Sequence, residues 1–306
     1  MRIDVGALGG YSTFGHVAEC PEISPPACAA EEIPPHRHEQ TLTHIRPSVG
    51  FSLGVGKGWE IAASLPFDLK LATAEYTTLD GNPYVPPYGE IHHRDENLFG
   101  PGDGRLAARR TARGGPGWTW TAEAGSSLPF GKTEEDPFVL GDAGLTHQHF
   151  QAGTGTFVPL LAGGIWGQAG RFGGGVRLDA RLPLYANGKG YLQGPQLILG
   201  TGPTWTIEKT TLSVPVDAAL ELRDRWAGVT AHDSGRVAIL AGLGAMVVPT
   251  PHLGIATSLR TTVWQRPFEV AHEDEVHQLL IAMARLVITP PRKAPPASDE
   301  QAEADR

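Results

Sequence analysis

No run of roughly 18 apolar residues, the length a membrane helix needs, occurs in this 306-residue chain. The most apolar stretch, Val237 to Val248, is twelve residues long and holds Gly242 and Gly244. A helical membrane protein is therefore excluded. Basic charge is also short: 25 Lys and Arg stand against 33 Asp and Glu, for a net charge of −8. No basic stripe is visible, which argues against nucleic acid as a partner. Cysteine is scarce. Cys20 and Cys28 sit close together among prolines, and a disulfide there fits the periplasm or cell surface; two unrelated free thiols are the alternative. The opening Met1-Arg2-Ile3-Asp4-Val5-Gly6 lacks the charged-then-apolar pattern of a signal peptide. Export of this chain then requires that the start be trimmed or mis-set.

Catalytic motifs are missing as well. Gly131-Lys132-Thr133 resembles the end of a P-loop, but the upstream glycine, Gly125, is one residue too far away. His38-Glu39 would begin a zincin motif only with histidine at position 42, which is Leu42. No G-x-S-x-G nucleophile elbow occurs. The chain is expected not to be an enzyme. An outer-membrane hydrolase with a strand-borne triad is the third functional alternative.

What the sequence does have is 39 glycines, 26 prolines and a period-2 pattern running from end to end. In Thr211–Arg223, Leu212, Val214, Val216, Ala218, Leu220 and Leu222 point one way, while Asp217, Glu221 and Arg223 point the other. Successive side chains of a strand leave opposite faces, so this is strand alternation. Residues 61–71 and 176–184 repeat it. The pattern predicts twelve strands, at about 2–14, 39–55, 59–76, 92–113, 118–130, 153–167, 171–186, 191–207, 211–224, 235–248, 252–266 and 274–289. Tight turns (Gly56 to Gly58, Gly114 to Gly117, Gln168 to Gly170, Glu208 to Thr210, Pro249 to Pro251) alternate with longer, more polar links. That is the arrangement of a transmembrane β-barrel with short periplasmic turns and longer extracellular loops. Trp59, Trp118, Trp120, Trp166 and Trp205 collect beside the tight turns as one aromatic girdle, with Trp264, Tyr185, Tyr191 and Tyr11 toward the other interface. A soluble all-β sandwich also alternates, but its strands are usually shorter. The expected fold is all-β: a single closed antiparallel barrel over 1–289, followed by a disordered tail over 290–306. The expected setting is the outer membrane of a Gram-negative-type bacterium, with its lipid as partner.

Two sets of residues are candidates for function. Arg177, Asp179, Arg181, Asp217, Glu221 and Arg223 fall on the polar face, and a charge facing lipid near the midplane costs about 2–4 kcal/mol, so they should line the lumen. They either form a polar conduit or pair with one another and fill a narrow interior. Histidines gather in three clusters: His36, His38 and His44; His92 and His93; His147 and His149. All three fall near the long-loop ends of their strands. Neutral imidazole suits zinc or copper, so a shared metal site is one reading and solvated or loop-pinning histidines the other.

Four short motifs carry a family resemblance: Gly102-Asp103-Gly104; Ser127-Leu128-Pro129-Phe130-Gly131-Lys132-Thr133; Phe150-Gln151-Ala152-Gly153-Thr154-Gly155-Thr156; and Asn187-Gly188-Lys189-Gly190-Tyr191. With them the chain resembles, over roughly 39–289, the outer-membrane transporter family of the phenol-degradation MetA-pathway type. The resemblance implies a β-barrel that passes a small solute. The functional expectation is an outer-membrane channel for an unidentified small solute. The alternative is a surface metal-binding or interaction protein whose barrel is an anchor.

Overall fold

The computed structural model describes residues 1–18, 33–89, 91, 94–231, 234–268 and 275–291. The candidate disulfide Cys20–Cys28, the histidines His92 and His93, and the tail beyond 291 lie outside the described residues. Alternating sequence becomes alternating strand throughout. The strands are β1 (Arg2–Ala18), β2 (His36–Gly56), β3 (Trp59–Thr78), β4 (Glu96–Pro101), β5 (Gly104–Gly115), β6 (Trp118–Leu128), β7 (Pro159–Ala169), β8 (Phe172–Arg181), β9 (Tyr191–Leu192), β10 (Gln196–Ile207), β11 (Thr210–Ser213), β12 (Val216–Glu221), β13 (Arg225–Trp226), β14 (Val229–Thr230), β15 (Arg236–Thr250), β16 (Leu253–Pro267) and β17 (Glu275–Ile288).

The main sheet runs antiparallel in the order β1-β2-β3-β5-β6-β7-β8-β10-β12-β15-β16-β17, and β1 pairs with β17 from Ile3↔Ile288 to Gly15↔Glu275, closing the sheet on itself. β4 and β5 form one interrupted stave, and β11 and β12 another, so the barrel has twelve staves. Closure leaves the main sheet without a free end strand, an edge that the hydrocarbon core would penalise. The first interruption is a bulge. Phe67 pairs with Pro101 and Ser64 with Arg105, so Gly102, Asp103 and Gly104 face only two residues of β3. The second falls at Pro215, which has no N–H for the ladder; Val214 N–H still donates to Pro203 O at 3.2 Å.

The expected lipid face is outward. Leu212, Val214, Val216, Ala218 and Leu222 are exposed, whereas Asp217 on the opposite parity is buried. Trp59, Trp118 and Trp205 are exposed beside tight turns. Arg110 lies between two girdle rings, 5.5 Å from Trp59 and 5.9 Å from Trp120, where a guanidinium can stack on the ring faces and reach the headgroup layer. Two expected girdle residues are elsewhere. Trp166 pairs with Thr119 and Gly175 on the lumen parity and covers Gly175 from inside. Tyr191 is buried against Trp226, ring centroids 4.8 Å apart, in a small sheet of β9, β13 and β14 that caps the long-loop end.

β2 has 21 residues and β3 has 20, about twice the 9–11 that cross the hydrocarbon. The β1–β3 wall therefore stands well beyond the membrane at its long-loop end, and that raised wall carries His36 and His38.

Candidate functional site

The inner wall is built by the parity that puts apolar residues outside. On β1, β2 and β3 the inward positions are even-numbered, and they bring Arg2, Asp4, His44, Arg46, Glu60, Asp68 and Lys70 into the lumen. On β5 and β6 the odd positions do the same for Arg105, Arg109 and Glu123. Cross-strand register then decides which charges pair. Arg109 lies opposite both Glu60 and Glu123, and its Nε reaches Glu123 at 2.7 Å while Nη1 reaches Glu60 at 3.4 Å. Arg105 also holds Glu123. Arg2 bridges Asp4 (3.3 Å) and Glu60 (2.9 Å), and Arg285 meets Asp4 at 2.8 Å.

Of the residues expected in the lumen, most meet partners there. Arg177 donates to Asp179 at 2.5 Å and to Asp217 at 2.8 Å. Arg260 adds a 2.9 Å contact to Asp217. Gly200 makes room for this group: a Cβ there would lie 2.4 Å from Asp217 Oδ1 and 2.6 Å from Arg177 Nε. Glu221 pairs with Arg236 at 2.9 Å. Arg223 lies past the end of β12, packed against Gly235. The Arg181 side chain makes no ion pair or hydrogen bond among the described residues. Sequence reasoning missed Arg2, Asp4, Arg46, Glu60, Asp68, Arg105, Arg109 and Glu123, although the same parity rule applied to β1–β6 finds them.

The four glycine-rich motifs meet in one assembly. Residues 129–158, between β6 and β7, fold back along the inner face of the wall. Asp103, exposed to the inside by the bulge, anchors them: its Oδ1 accepts from Gly131 N–H at 3.0 Å, and its Oδ2 accepts from Thr154 N–H and Oγ1, both at 2.7 Å. Gly131 and Gly153 touch so closely that a Cβ on either would lie 2.5 Å from the other's Cα. Asn187 Nδ2 donates to Thr154 O at 3.0 Å, and Lys189 Nζ to Thr133 O at 2.8 Å. On the far side Lys70 Nζ donates to Gln151 O at 2.5 Å. The segment thus reaches from its own strands across the bulged stave to β3 and narrows the lumen. A one-turn helix within it, Pro137–Asp142, is capped by Asp136, whose Oδ1 accepts from Phe138 N–H at 3.0 Å.

The described histidines of the candidate clusters lie toward the long-loop end but do not converge as one group. His36 is buried, hydrogen-bonded to Tyr88 and, through Nδ1, to Pro34 O at 2.8 Å. His38 is buried against Tyr76, ring centroids 5.8 Å apart. His44 sits deeper, its Nε2 2.5 Å from Asp68, which also takes Arg46 at 2.8 Å. His147 and His149 face each other at 5.6 Å between ring centroids. Among the described residues, no three His, Cys, Asp or Glu side chains are grouped to hold a metal. Burial of Tyr88 beside Tyr76 and Tyr84 pushes its hydroxyl pKa well above the usual range. Arg94 donates to His147 O at 2.9 Å, which fastens the 79–95 link to the folded-in loop.

No family model matches the chain, and no curated protein does. The fold is similar to an outer membrane channel from Pseudomonas putida F1, at 9% identity over 94% of this chain and 95% of that one, with a TM-score of 0.58. The P. putida toluene transporter TodX aligns at 9% identity over 95% and 90%, TM-score 0.43. A Pseudomonas aeruginosa FadL homologue aligns at 9% identity over 94% and 90%, TM-score 0.45. The first likeness shows the fold, that of an outer-membrane barrel; the other two are too distant to carry an argument.

Proposed function

We propose that this chain is an outer-membrane channel of a Gram-negative-type bacterium that passes a small solute through a constricted, water-lined lumen. The tight turns face the periplasm and the long loops face outward. The observation that carries this reading is the charged inner wall together with a loop anchored inside it by Asp103. A barrel serving only as an anchor has no need to hold so many ionised groups around a hydrated interior, since packed apolar residues are at least as stabilising as buried ion pairs. A cavity of about 310 Å³ remains in the lumen, bordered by Arg2, Asp4, Arg46, Arg105, Arg109 and Glu123 among others. The closer kinship with the MetA-pathway type is supported by the four motifs that suggested it. Far apart in sequence, they build one assembly, the inward loop and its anchor.

The test is electrical. Purified, refolded protein added to a planar lipid bilayer should give discrete conductance steps, small in amplitude because of the constriction. A barrel that migrates as folded on unheated gels yet gives no conductance at any voltage would refute the channel reading.

A further inference from the structure

At the tight-turn end of the lumen the charges do not cancel. In the cluster nearest the tight turns, four guanidinium groups (Arg2, Arg105, Arg109, Arg285) share three carboxylates, those of Asp4, Glu60 and Glu123. Arg46 and Lys70 flank a single carboxylate, Asp68. The cavity itself is bordered by five arginines, Arg2, Arg46, Arg105, Arg109 and Arg285, against only Asp4 and Glu123. Beside it stands Arg181. Register explains why that side chain has no partner: Arg181 lies opposite Gln196 on β10 and Leu160 on β7, and neither offers a carboxylate. The wall surrounds it, and the charges around it are Arg46 and Arg105 together with Asp179, which Arg177 takes, and Asp103, which the loop takes; its side chain stays exposed to the lumen. The chain as a whole carries −8, so this positive interior is a local feature and not a reflection of composition.

We infer that the lumen selects small organic anions, and that Arg181, with Arg46 and Arg105 beside it, is the point at which a passing carboxylate is held. This rests on the channel reading above and names its substrate class. A guanidinium offers a planar fork that matches the two oxygens of a carboxylate. A solvated fork with no internal partner can exchange lumen water for a solute's oxygens without first breaking an ion pair. The excess positive charge raises the local concentration of anions in a narrow, low-dielectric passage. Because arginine stays protonated, the preference should not depend on pH between about 5 and 9, which separates it from any selectivity set by histidine.

Reversal potentials in planar bilayers under a roughly tenfold KCl gradient test this. They should be repeated near 1 M salt, where a Debye length of about 3 Å screens the acidic outer loops but not the charges a permeating ion touches. The expected result is a chloride-over-potassium preference that falls at least about twofold in Arg181→Gln and further in the Arg46→Gln/Arg181→Gln double variant. Arg181→Lys should retain most of it. Lactate should reduce the chloride current of the wild type at concentrations that leave Arg181→Gln unaffected, and its neutral counterpart propylene glycol should not. Conductance that is cation-selective or unselective, or a lactate effect that survives Arg181→Gln, overturns the anion inference while leaving the channel reading intact. Inorganic phosphate blocking at lower concentration than lactate overturns the carboxylate assignment. Absence of conductance in folded protein sinks the channel reading and this inference with it.

Discussion

Replacing Asp103 with alanine should release the loop that narrows the lumen. The Asp103 carboxylate accepts three hydrogen bonds from that loop: Gly131 N–H at 3.0 Å, and Thr154 N–H and Oγ1 at 2.7 Å each. A hydrogen bond to an ionised group contributes about 1.5–3 kcal/mol. Three on one carboxylate are not additive, so the loss is about 4 kcal/mol for the group, equivalent to about a thousandfold change in the docked-to-undocked ratio. The loop keeps Lys70 on Gln151 O (2.5 Å), Asn187 on Thr154 O (3.0 Å) and Lys189 on Thr133 O (2.8 Å), so it should undock often without staying free. Two assays read this. Single-channel recordings should show a higher-conductance level that the wild type visits rarely. Limited trypsin treatment should cut after Lys132, whose side chain is already 67% exposed but whose neighbouring backbone is held by Asp103, at least tenfold faster in Asp103→Ala. Asp103→Asn keeps one acceptor oxygen and should fall between. If folded Asp103→Ala matches the wild type in both conductance and cleavage rate, Asp103 is not the anchor and the loop does not gate the lumen.

Two further outcomes follow from the same architecture. Leu199 faces outward at mid-stave, 48% exposed and paired with Leu178 and Ala218, so Leu199→Arg should destabilise the barrel by about 2–4 kcal/mol in vesicle refolding titrations; a cost below about 0.5 kcal/mol would mean that this face does not meet lipid. Burial holds the His147 imidazole below its ordinary pKa, and the hydrogen bond between Nδ1 and Leu145 O opposes this only in part. A depressed folded pKa means that docking of this loop is fully supported above the unfolded value of about 6.5 and weakens as pH falls through the lower folded value. Hydrogen-exchange protection across 129–158 should therefore drop on acidification in the wild type and much less in His147→Gln; protection that is flat with pH in the wild type contradicts the assignment.

The staves were legible because lipid and lumen impose opposite demands on alternate residues. The predicted segment 59–76 is β3, Trp59–Thr78, and 118–130 is β6, Trp118–Leu128. Where prediction and structure part, a specific contact has taken residues out of the ladder. The alternation predicts one strand over 92–113, but Gly102 and Asp103 bulge out of it. The pattern predicts strand over 153–158, but Gly153 N–H donates to Lys132 O at 3.0 Å and Thr154 turns to Asp103, so β7 starts only at Pro159. Tyr191 leaves the start of its predicted strand because its hydroxyl reaches Asp224 at 2.8 Å and its ring packs on Trp226.

The candidate site divides along the same line. Parity tells which side of the wall a charge faces, so Arg177, Asp179, Arg181 and Asp217 could be assigned to the lumen without coordinates. It does not tell which charge meets which, since that depends on the stagger of neighbouring staves. Arg177 and Arg181 are four residues apart on one strand and indistinguishable by pattern. The register sets Arg177 opposite Gly200, which leaves room for Asp217, and sets Arg181 opposite Gln196, which leaves it without a counter-ion. The first is therefore structural, clamping three staves together, and the second is available to a solute. Neutralising each charge in turn separates them: Asp217→Asn should destabilise the barrel by leaving Arg177 and Arg260 without their shared carboxylate, a loss of about 3–5 kcal/mol where the site is dry and less where lumen water reaches it. Arg181→Gln should leave stability in refolding titrations nearly unchanged while altering selectivity. If Arg181→Gln instead destabilises the fold as much as Asp217→Asn does, Arg181 belongs to the scaffold and not to the passage.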